Sequence, residues 1–485
     1  MDSLSANNES SIPESSPKTE NIDDLLDRIN GMVSGEVPIA PAEPEPEPPR
    51  SEVRSTPTTS QIEEELDGEF FPREPKSLHE SRVSISMIEE LICKFLLARG
   101  ESSIRGISNQ IGMPFQIVED AVVRLKQEQV LGYIDAQMND YICKLTEVGR
   151  ERGKRYSEYC SYFGAAPVCF ADYVESVNKQ TINDQSPSLE DLERAFSDLL
   201  IDPQMMRKLG PAVNSGRGMF LFGYPGNGKT SIAERITAAF GPYVWIPRAI
   251  SMDRDIVRVF DPMSHIEAPV EEGEGLLSNL NFDRRWVRIQ RPTIVVGGEL
   301  TMDQLEIQYN PQTGISEAPV QMKSNTGLLL IDDFGRQRMT VDELLNRWIV
   351  PLEKRYDFLN TSNGKKIQVP FDQLVVFSTN LEPKDLVDDA FLRRIPYKIE
   401  VADPSVENFV KLFKIMCGIY KFEWRPELIQ WLIETHYIPT NRPLRNCHPR
   451  DLLLQVTNFC KFLKRPKELT QESLDFACEN YFSIM

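Results

Sequence analysis

A glycine-rich octapeptide joins an apolar run at 219–222 to a segment with helical spacing. It reads GYPGNGKT from Gly223 to Thr230, which is the spacing G-x-x-x-x-G-K-T. Glycines let backbone N–H groups wrap around phosphate, and the N-terminus of the following helix adds the positive end of its dipole. We expect the Lys229 ammonium to reach the β- and γ-phosphates and the Thr230 hydroxyl to ligate Mg²⁺. The residues predicted to contact a nucleotide are Gly223, Tyr224, Pro225, Gly226, Asn227, Gly228, Lys229, Thr230 and Ser231.

Polar residues also follow two later apolar runs. Asp332 and Asp333 come directly after the run at 328–331, and Asn380 follows the run at 374–377. Continuous apolar runs of this length predict buried strands of a parallel sheet. Ligands of open α/β sheets bind at the carboxyl ends of such strands. We therefore predict that these side chains lie at the same sheet edge as the octapeptide.

The order of these motifs resembles that of the AAA+ ATPases. The resemblance implies that Asp332 holds Mg²⁺, as in a Walker B motif, and that Asp333 orients and polarises the attacking water. Most AAA+ proteins have glutamate at the second position, so Asp333 is one methylene shorter than the family pattern. Asn380 resembles the sensor 1 residue, which implies a hydrogen bond to the lytic water or to the γ-phosphate. The implied reaction is hydrolysis of Mg²⁺-ATP to ADP and phosphate.

Two further segments resemble AAA+ elements that carry arginines. The segment DDAFLRRIPYKIEV at 388–401 resembles the one that supplies an arginine finger to the neighbouring subunit of a homo-oligomeric ring. We prefer Arg394 to Arg393 for this role, and a structural salt bridge is the alternative for either. The segment at 441–456 resembles the sensor 2 element of a helical lid, in which Arg450 would reach the γ-phosphate.

An insert at 282–323 separates the first two motifs. It contains a predicted strand at 293–296 and a predicted hairpin at 305–321 with its turn at 310–314. Inserts here resemble those of the MoxR-like, chelatase and enhancer-binding branches, in which they face the ring pore and touch substrate. Four arginines of the insert lie beside Trp286 and suggest either a substrate-contact element or an inter-subunit salt-bridge strip. They are Arg284, Arg285, Arg288 and Arg291.

The N-terminal third has a different pattern. Residues 1–80 hold 19 Asp and Glu against 6 Lys and Arg and are rich in Ser and Pro, which predicts disorder. We therefore expect their deletion to change stability and activity little. Residues 83–157 read helix, short helix, turn, helix and hairpin, which resembles a winged helix-turn-helix. Its reading helix at 116–131 has a net charge of −1, so protein docking is favoured over DNA contact.

Composition limits the function classes. The net charge is −19, which disfavours tight non-specific DNA binding. The chain has no 18-residue apolar run and no apolar leader, so we expect neither a membrane span nor secretion. None of the eight cysteines forms a CxxC pair, and we interpret them as free thiols in a reducing cytoplasm.

Together these patterns predict an α/β fold with a P-loop parallel sheet and a helical lid. The predicted segments are a disordered acidic tail at 1–82, a winged-helix-like domain at 83–157, a linker at 158–189, a nucleotide-binding domain at 190–402 and the lid at 403–485. The favoured function is chaperone-like remodelling of a protein partner by an ATPase ring, with the winged helix as adaptor. The alternatives are a DNA-directed ATPase of the transcription-activator or replication-loader type, and a scaffold that binds ATP and hydrolyses it weakly. The scaffold alternative stays open because Asp333 stands where most AAA+ proteins have glutamate.

Overall fold

The computed structural model describes residues 70–137, 140–253, 255–270 and 282–483. These residues form two compact units, 70–403 and 404–483. Residues 1–69 of the predicted tail lie outside the described residues. The predicted disorder of that segment therefore stays a prediction.

Residues 70–82, which we call the strap, are folded, so the predicted tail boundary at residue 82 is wrong. The Phe70 ring lies 5.1 Å from that of Trp286, and the Phe71 ring lies 5.8 Å from that of Trp245 in an edge-on contact. The Pro72 carbonyl accepts a 2.8 Å hydrogen bond from a backbone N–H of the insert. The strap includes helix α1 (Leu78–Ser81). The polar composition of the strap predicts a disordered tail, because the two tryptophans that bury its aromatic rings lie far along the chain and cannot be recognised from the strap itself.

The helical module that follows has the predicted helices and hairpin in sequence order, and a strand that was not predicted, β1, lies between its first two helices. Its apolar stripes are buried in one core, which includes Ile88, Leu91, Val118 and Val122. The predicted turn after Gly112 separates its second and third helices, and the central residue of the predicted Asn-Asp hairpin turn, 139, lies outside the described residues. The elements are α2 (Ile85–Arg99), β1 (Glu101–Ser103), α3 (Ile104–Ile111), α4 (Phe115–Gln127), β2 (Leu131–Gln137), β3 (Asp140–Leu145) and α5 (Glu147–Tyr159). The three strands pair antiparallel in the order β1-β3-β2.

A five-stranded parallel sheet forms the centre of the larger unit, as predicted. Its strands are β5 (Met219–Phe222), β10 (Thr293–Val296), β13 (Leu328–Ile331), β16 (Leu374–Thr379) and β17 (Tyr397–Glu400). They lie in the order β10-β13-β16-β5-β17, and every neighbouring pair is parallel. All residues of β13 and β16 are buried, because both faces of the sheet carry an apolar core. The carboxyl ends of β5, β13 and β16 therefore share one edge.

The helices of the larger unit that pack around its sheets are mostly short. They are α6 (Phe170–Lys179), α7 (Leu189–Ala195), α8 (Pro203–Asn214), α9 (Lys229–Ile236), α10 (Val320–Lys323), α11 (Val341–Lys354), α12 (Pro383–Leu386) and α13 (Asp389–Leu392). Short 3₁₀ helices cover Ile182–Asp184, Thr237–Ala239 and Met302–Leu305. The predicted linker at 158–189 thus contains α6 and a 3₁₀ turn and is an ordered part of this unit.

A second, mixed sheet includes the hairpin of the insert. Its strands are β4 (Val168–Cys169), β7 (Ala249–Met252), β8 (Asp255–Arg258), β11 (Gln308–Asn310) and β12 (Ile315–Glu317), in the order β11-β12-β8-β7-β4. β11 and β12 are the predicted hairpin, and the Gly314 N–H closes its turn on the Asn310 carbonyl at 2.8 Å. The tip of this hairpin contacts another part of the same chain, because the Thr313 carbonyl accepts a hydrogen bond from the Ser161 N–H at 2.7 Å. Two antiparallel pairs complete the unit: β6 (Tyr243–Pro247) with β9 (Trp286–Gln290), and β14 (Tyr356–Asn360) with β15 (Lys366–Pro370).

The smaller unit is helical, as predicted for the lid. Its helices are α14 (Val406–Ile419), α15 (Pro426–Leu432), a π-helical turn (Ile433–Tyr437), α16 (His448–Phe462) and α17 (Gln471–Tyr481). They enclose a core of their own that includes Phe409, Phe413, Leu432 and Leu453. The unit therefore has the apolar interior of an independently packed bundle.

Candidate nucleotide-binding site

The glycine-rich loop has the backbone that its sequence predicts. Gly226 and Gly228 both have φ of 85°, a left-handed conformation that favours glycine. Gly223 has φ of 139°, and a Cβ there would lie 2.5 Å from the Val401 carbonyl oxygen. Gly228 is the N-cap of α9, so the loop leads directly into a helix N-terminus. This is the strand, loop and helix arrangement that binds phosphate.

Lys229 connects the loop to the neighbouring strand β16. Its Nζ donates to the carbonyls of Gly223 at 2.9 Å and Tyr224 at 3.1 Å, and to Asn380 Oδ1 at 2.8 Å. The predicted sensor amide and the predicted phosphate-binding lysine are thus in direct contact. Two residues that lie far apart in sequence meet because β5 and β16 are neighbours in the sheet.

Thr230 and Asp332 form a pair of oxygen ligands. The Thr230 hydroxyl donates to Asp332 Oδ2 at 2.8 Å, which places both side chains together as predicted. Mg²⁺ binds oxygen, and it commonly takes one or two protein carboxylates together with substrate phosphates. Within the described ranges no cluster of three or more His, Cys, Asp or Glu side chains has metal-binding geometry. This hydroxyl and carboxylate therefore fit a magnesium ion that a nucleotide helps to hold.

Asp333 is held in a left-handed turn by its neighbours. Its φ is 48°, a conformation that Asp tolerates better than most residues. Asn380 Nδ2 donates to Asp333 Oδ1 at 3.2 Å. Gln337 Nε2 donates to the carbonyls of Asp332 at 3.1 Å and Asp333 at 3.2 Å, while its Oε1 accepts from the Gly335 N–H at 2.8 Å. Sequence reasoning missed Gln337, which belongs to no motif.

The two candidate finger arginines differ in their surroundings. Arg394 is 15% exposed, and its guanidinium pairs with Glu353 at 2.6 Å and donates to the Ala390 carbonyl at 2.8 Å. Arg393 is exposed at the C-cap of α13. The alternative interpretation of a structural salt bridge therefore fits Arg394, and the finger role of either arginine stays a prediction.

Arg450 belongs to the smaller unit. It lies in the first turn of α16, where its Nε donates to Asp451 Oδ1 at 2.9 Å. The hydrogen bond to that carboxylate raises the pKa of Arg450 above its ordinary value. The nucleotide-sensing role that we expected for it stays a prediction.

The arginines of the insert have mainly internal partners. Arg285 is buried against Asp283 at 2.7 Å and donates to the Ser81 carbonyl of the strap at 2.9 Å. Arg291 is buried and donates to backbone carbonyls, and burial lowers its pKa to about 10. Arg288 stacks over the ring of Tyr243. The interpretation as a substrate-contact or inter-subunit strip is wrong for Arg285 and Arg291, because both are buried and their guanidinium groups are hydrogen-bonded within the same chain.

The cysteines fit the interpretation as free thiols. All eight are free, and six of them are buried: Cys93, Cys143, Cys160, Cys417, Cys460 and Cys478. Burial raises the pKa of Cys93 to about 12, so its thiol is unreactive at neutral pH. Among the helices that the structure describes, none has the length and apolar character needed to cross a membrane.

Comparisons with known proteins add little to this description. A family profile described as a domain of unknown function (DUF8689) matches residues 405–480, which lie in the smaller unit. No curated protein matches the chain. A RuvB mutant from Thermotoga maritima is 13% identical, with 62% of this chain and 74% of that chain covered and a TM-score of 0.35. NtrX from Brucella abortus is 14% identical, with 60% and 59% covered and a TM-score of 0.36. Scores this low support no inference, so the α/β P-loop fold rests on the strand order and on the residues at the sheet edge.

Proposed function

We propose that this chain is an Mg²⁺-dependent ATPase of the AAA+ type that remodels a macromolecular partner. The observation that carries the proposal is the chain of contacts from Lys229 through Asn380 to Asp333. It brings all three predicted motifs together at the carboxyl edge of the parallel sheet. ATP is preferred to GTP because of the AAA+ resemblance in the order of the motifs.

The residues of the site suit phosphoryl transfer to water. The loop N–H groups and the Lys229 ammonium would bind the phosphates, and Thr230 with Asp332 would hold Mg²⁺, whose charge would offset that of the phosphates. The Asp333 carboxylate orients the attacking water and accepts its proton. Asn380 keeps that carboxylate in place through its amide donor. Positioning and electrostatics account for most catalysis in this reaction class.

Two aspartate variants test this function. Asp332→Ala removes the carboxylate that holds the metal, and Asp333→Asn removes the base while keeping its shape. We expect both to lower steady-state ATP hydrolysis by at least about 100-fold, the contribution typical of such groups. The matched control is Gln204→Ala, an exposed position at the start of α8. Wild-type protein that releases no phosphate from Mg²⁺-ATP would contradict the proposal.

The scaffold alternative predicts a different response to a longer carboxylate. If Asp333 is too short to act as a base, Asp333→Glu should accelerate hydrolysis over the wild type. If the turn that Gln337 holds already positions Asp333 correctly, the added methylene should slow hydrolysis. We favour the second outcome, because the Gln337 side chain supports the left-handed turn by donating two hydrogen bonds and accepting one.

A protein partner is favoured over nucleic acid. Two basic residues that follow the hairpin of the helical module, Arg150 and Arg152, are paired with Glu147 at 2.5 Å and Glu128 at 2.6 Å. The paired glutamates offset the positive charge of these arginines, which weakens the attraction of this surface for phosphate backbones. This supports an adaptor role for the module, with duplex DNA as the alternative partner of the ATPase.

A ring with shared active sites follows from the AAA+ resemblance, and Arg393 is now its best finger candidate. Arg393 is exposed, whereas Arg394 is held by Glu353 of its own chain. A finger must reach a neighbouring subunit, and an exposed guanidinium can do so without breaking an internal pair. We therefore propose Arg393 as the residue that acts in trans.

A further inference from the structure

The segment 401–403 follows β17 and leads out of the larger unit, since residues from 404 belong to the smaller unit. It touches the glycine-rich loop at two places. At the first, the backbone of Gly223 approaches the Val401 carbonyl so closely that a Cβ would lie 2.5 Å from its oxygen. At the second, the Asn227 amide Nδ2 donates to Asp403 Oδ1 at 2.7 Å. The beginning and the middle of the loop are therefore both held against one short segment.

Asn227 lies between two glycines of the loop that have left-handed backbone. Its two neighbours, Gly226 and Gly228, both have φ of 85°. Glycine populates many backbone conformations, so a pair of glycines gives the loop many alternatives to the phosphate-binding one. The Asn227 side chain is only 2% exposed, and it lies between these two residues. A side-chain hydrogen bond at this place limits the conformations of both glycines.

We propose that Asn227 and Asp403 form a positioning pair that preorganises the phosphate-binding loop by fixing it to the segment that leads into the helical unit. Neither residue needs to touch the nucleotide. The pair lowers the conformational entropy that phosphate binding would otherwise cost. It also makes loop order depend on the place where the chain leaves the nucleotide-binding unit. This inference rests on the proposed function and names a determinant of nucleotide affinity within it.

A double-mutant cycle on the full chain tests the pair. Asn227→Ala and Asp403→Ala each remove the hydrogen bond, and each should weaken ADP binding by about tenfold or more, the effect of losing a hydrogen bond to a charged group. The double variant should be no weaker than the weaker single variant, because both lose the same contact. Asp403→Asn keeps an oxygen that can accept from Asn227, so its affinity should stay within about threefold of wild type. Calorimetry with Mg²⁺-ADP measures these constants.

The kinetic pattern separates positioning from general damage. Asp403→Ala should raise KM for ATP and leave kcat at saturating ATP within about threefold, because the groups that perform hydrolysis are untouched. Its melting temperature should stay near that of the wild type. A fall in kcat with KM unchanged would overturn the proposal, and so would multiplied losses in the double variant.

The binding measurements distinguish failure of the positioning role of Asn227 and Asp403 from failure of the proposed ATPase function. If wild-type protein binds ADP but the single variants bind it equally well, the positioning role is refuted and the ATPase proposal stands. If wild-type protein binds neither ADP nor ATP, the ATPase proposal itself fails. Asp403→Asn serves as the folded comparison if an alanine variant does not fold, and strong loss of ADP binding by this variant alone would also refute the pair.

Discussion

The strap allows a direct test of the fold, because two of its aromatic rings pack against buried tryptophans. We predict that Phe70→Ala combined with Phe71→Ala destabilises the larger unit, whereas removal of residues 1–69 does not. Both rings are half-buried, and each packs against a buried tryptophan, Trp286 and Trp245 respectively. The truncated chain keeps both phenylalanines, so it separates loss of the tail from loss of the strap.

The size of the effect follows from burial. Replacing a fully buried phenylalanine with alanine costs about 3–5 kcal/mol, so a half-buried ring should contribute roughly 2 kcal/mol. An aromatic pair adds about 0.5–1.5 kcal/mol beyond its buried area. With both aromatic pairs counted, the two substitutions together should therefore lower the free energy of unfolding by about 5–7 kcal/mol. In a unit of this size the melting temperature should fall by at least about 5 °C.

Thermal unfolding followed by intrinsic fluorescence is the assay. Loss of the two rings exposes Trp245 and Trp286 to water, so the emission of the folded variant should shift to longer wavelength. The matched control is Phe462→Ala, because that side chain is 84% exposed and its removal should change stability by less than about 0.5 kcal/mol. If the double variant melts and fluoresces like the wild type, the strap does not pack as described. If removal of residues 1–69 alone lowers the melting temperature by several degrees, the stabilising contacts lie in the tail.

Four further outcomes are expected. Lys229→Ala should abolish ATP binding while the protein stays folded, and tight nucleotide binding by the folded variant in calorimetry would contradict the role of this lysine. Gln337→Ala should lower kcat by about tenfold with KM for ATP unchanged, because it releases the turn that holds the base; a change in KM alone would count against this. The full chain should bind duplex DNA no more tightly than about 10⁻⁴ M near physiological salt, and submicromolar sequence-selective binding would promote the DNA-directed alternative. Arg393→Ala and Asp332→Ala should each be inactive as ATPases but regain activity when mixed, whereas co-assembled yet inactive mixtures would refute sharing of sites.

The placement of the candidate site residues was predictable from sequence because their motifs are local. Asp332 directly follows an apolar run, and Lys229 and Asn380 lie in the short segments that leave two others; parallel strands bring such positions to one edge. The contacts of Asn380 with Lys229 and Asp333 confirm that the runs form neighbouring strands. No knowledge of the rest of the fold was needed for this step.

The features that sequence reasoning missed depend on partners far along the chain. The composition of the strap is polar and predicts a tail, and contacts with Trp245 and Trp286 make it part of a core. Arg394 and Arg393 are adjacent and chemically identical, so only the position of Glu353 on α11 distinguishes them. Sequence reasoning missed Gln337 because its role depends on the left-handed turn at Asp333, and no sequence pattern predicts that turn.

Asn380 shows why an amide suits the centre of this site. It accepts a hydrogen bond from the Lys229 ammonium through Oδ1 and donates one to the Asp333 carboxylate through Nδ2. A carboxylate could accept from the lysine but would repel Asp333, and a lysine or arginine could donate to Asp333 but would repel Lys229. Asparagine presents an acceptor and a donor on one planar group, so it can separate a cation from an anion and still hydrogen-bond to both. Movement of Lys229 towards a phosphate would remove the acceptor side of this contact while Asp333 keeps the donor side. The base is then held by Asn380 and Gln337 independently of where the lysine lies.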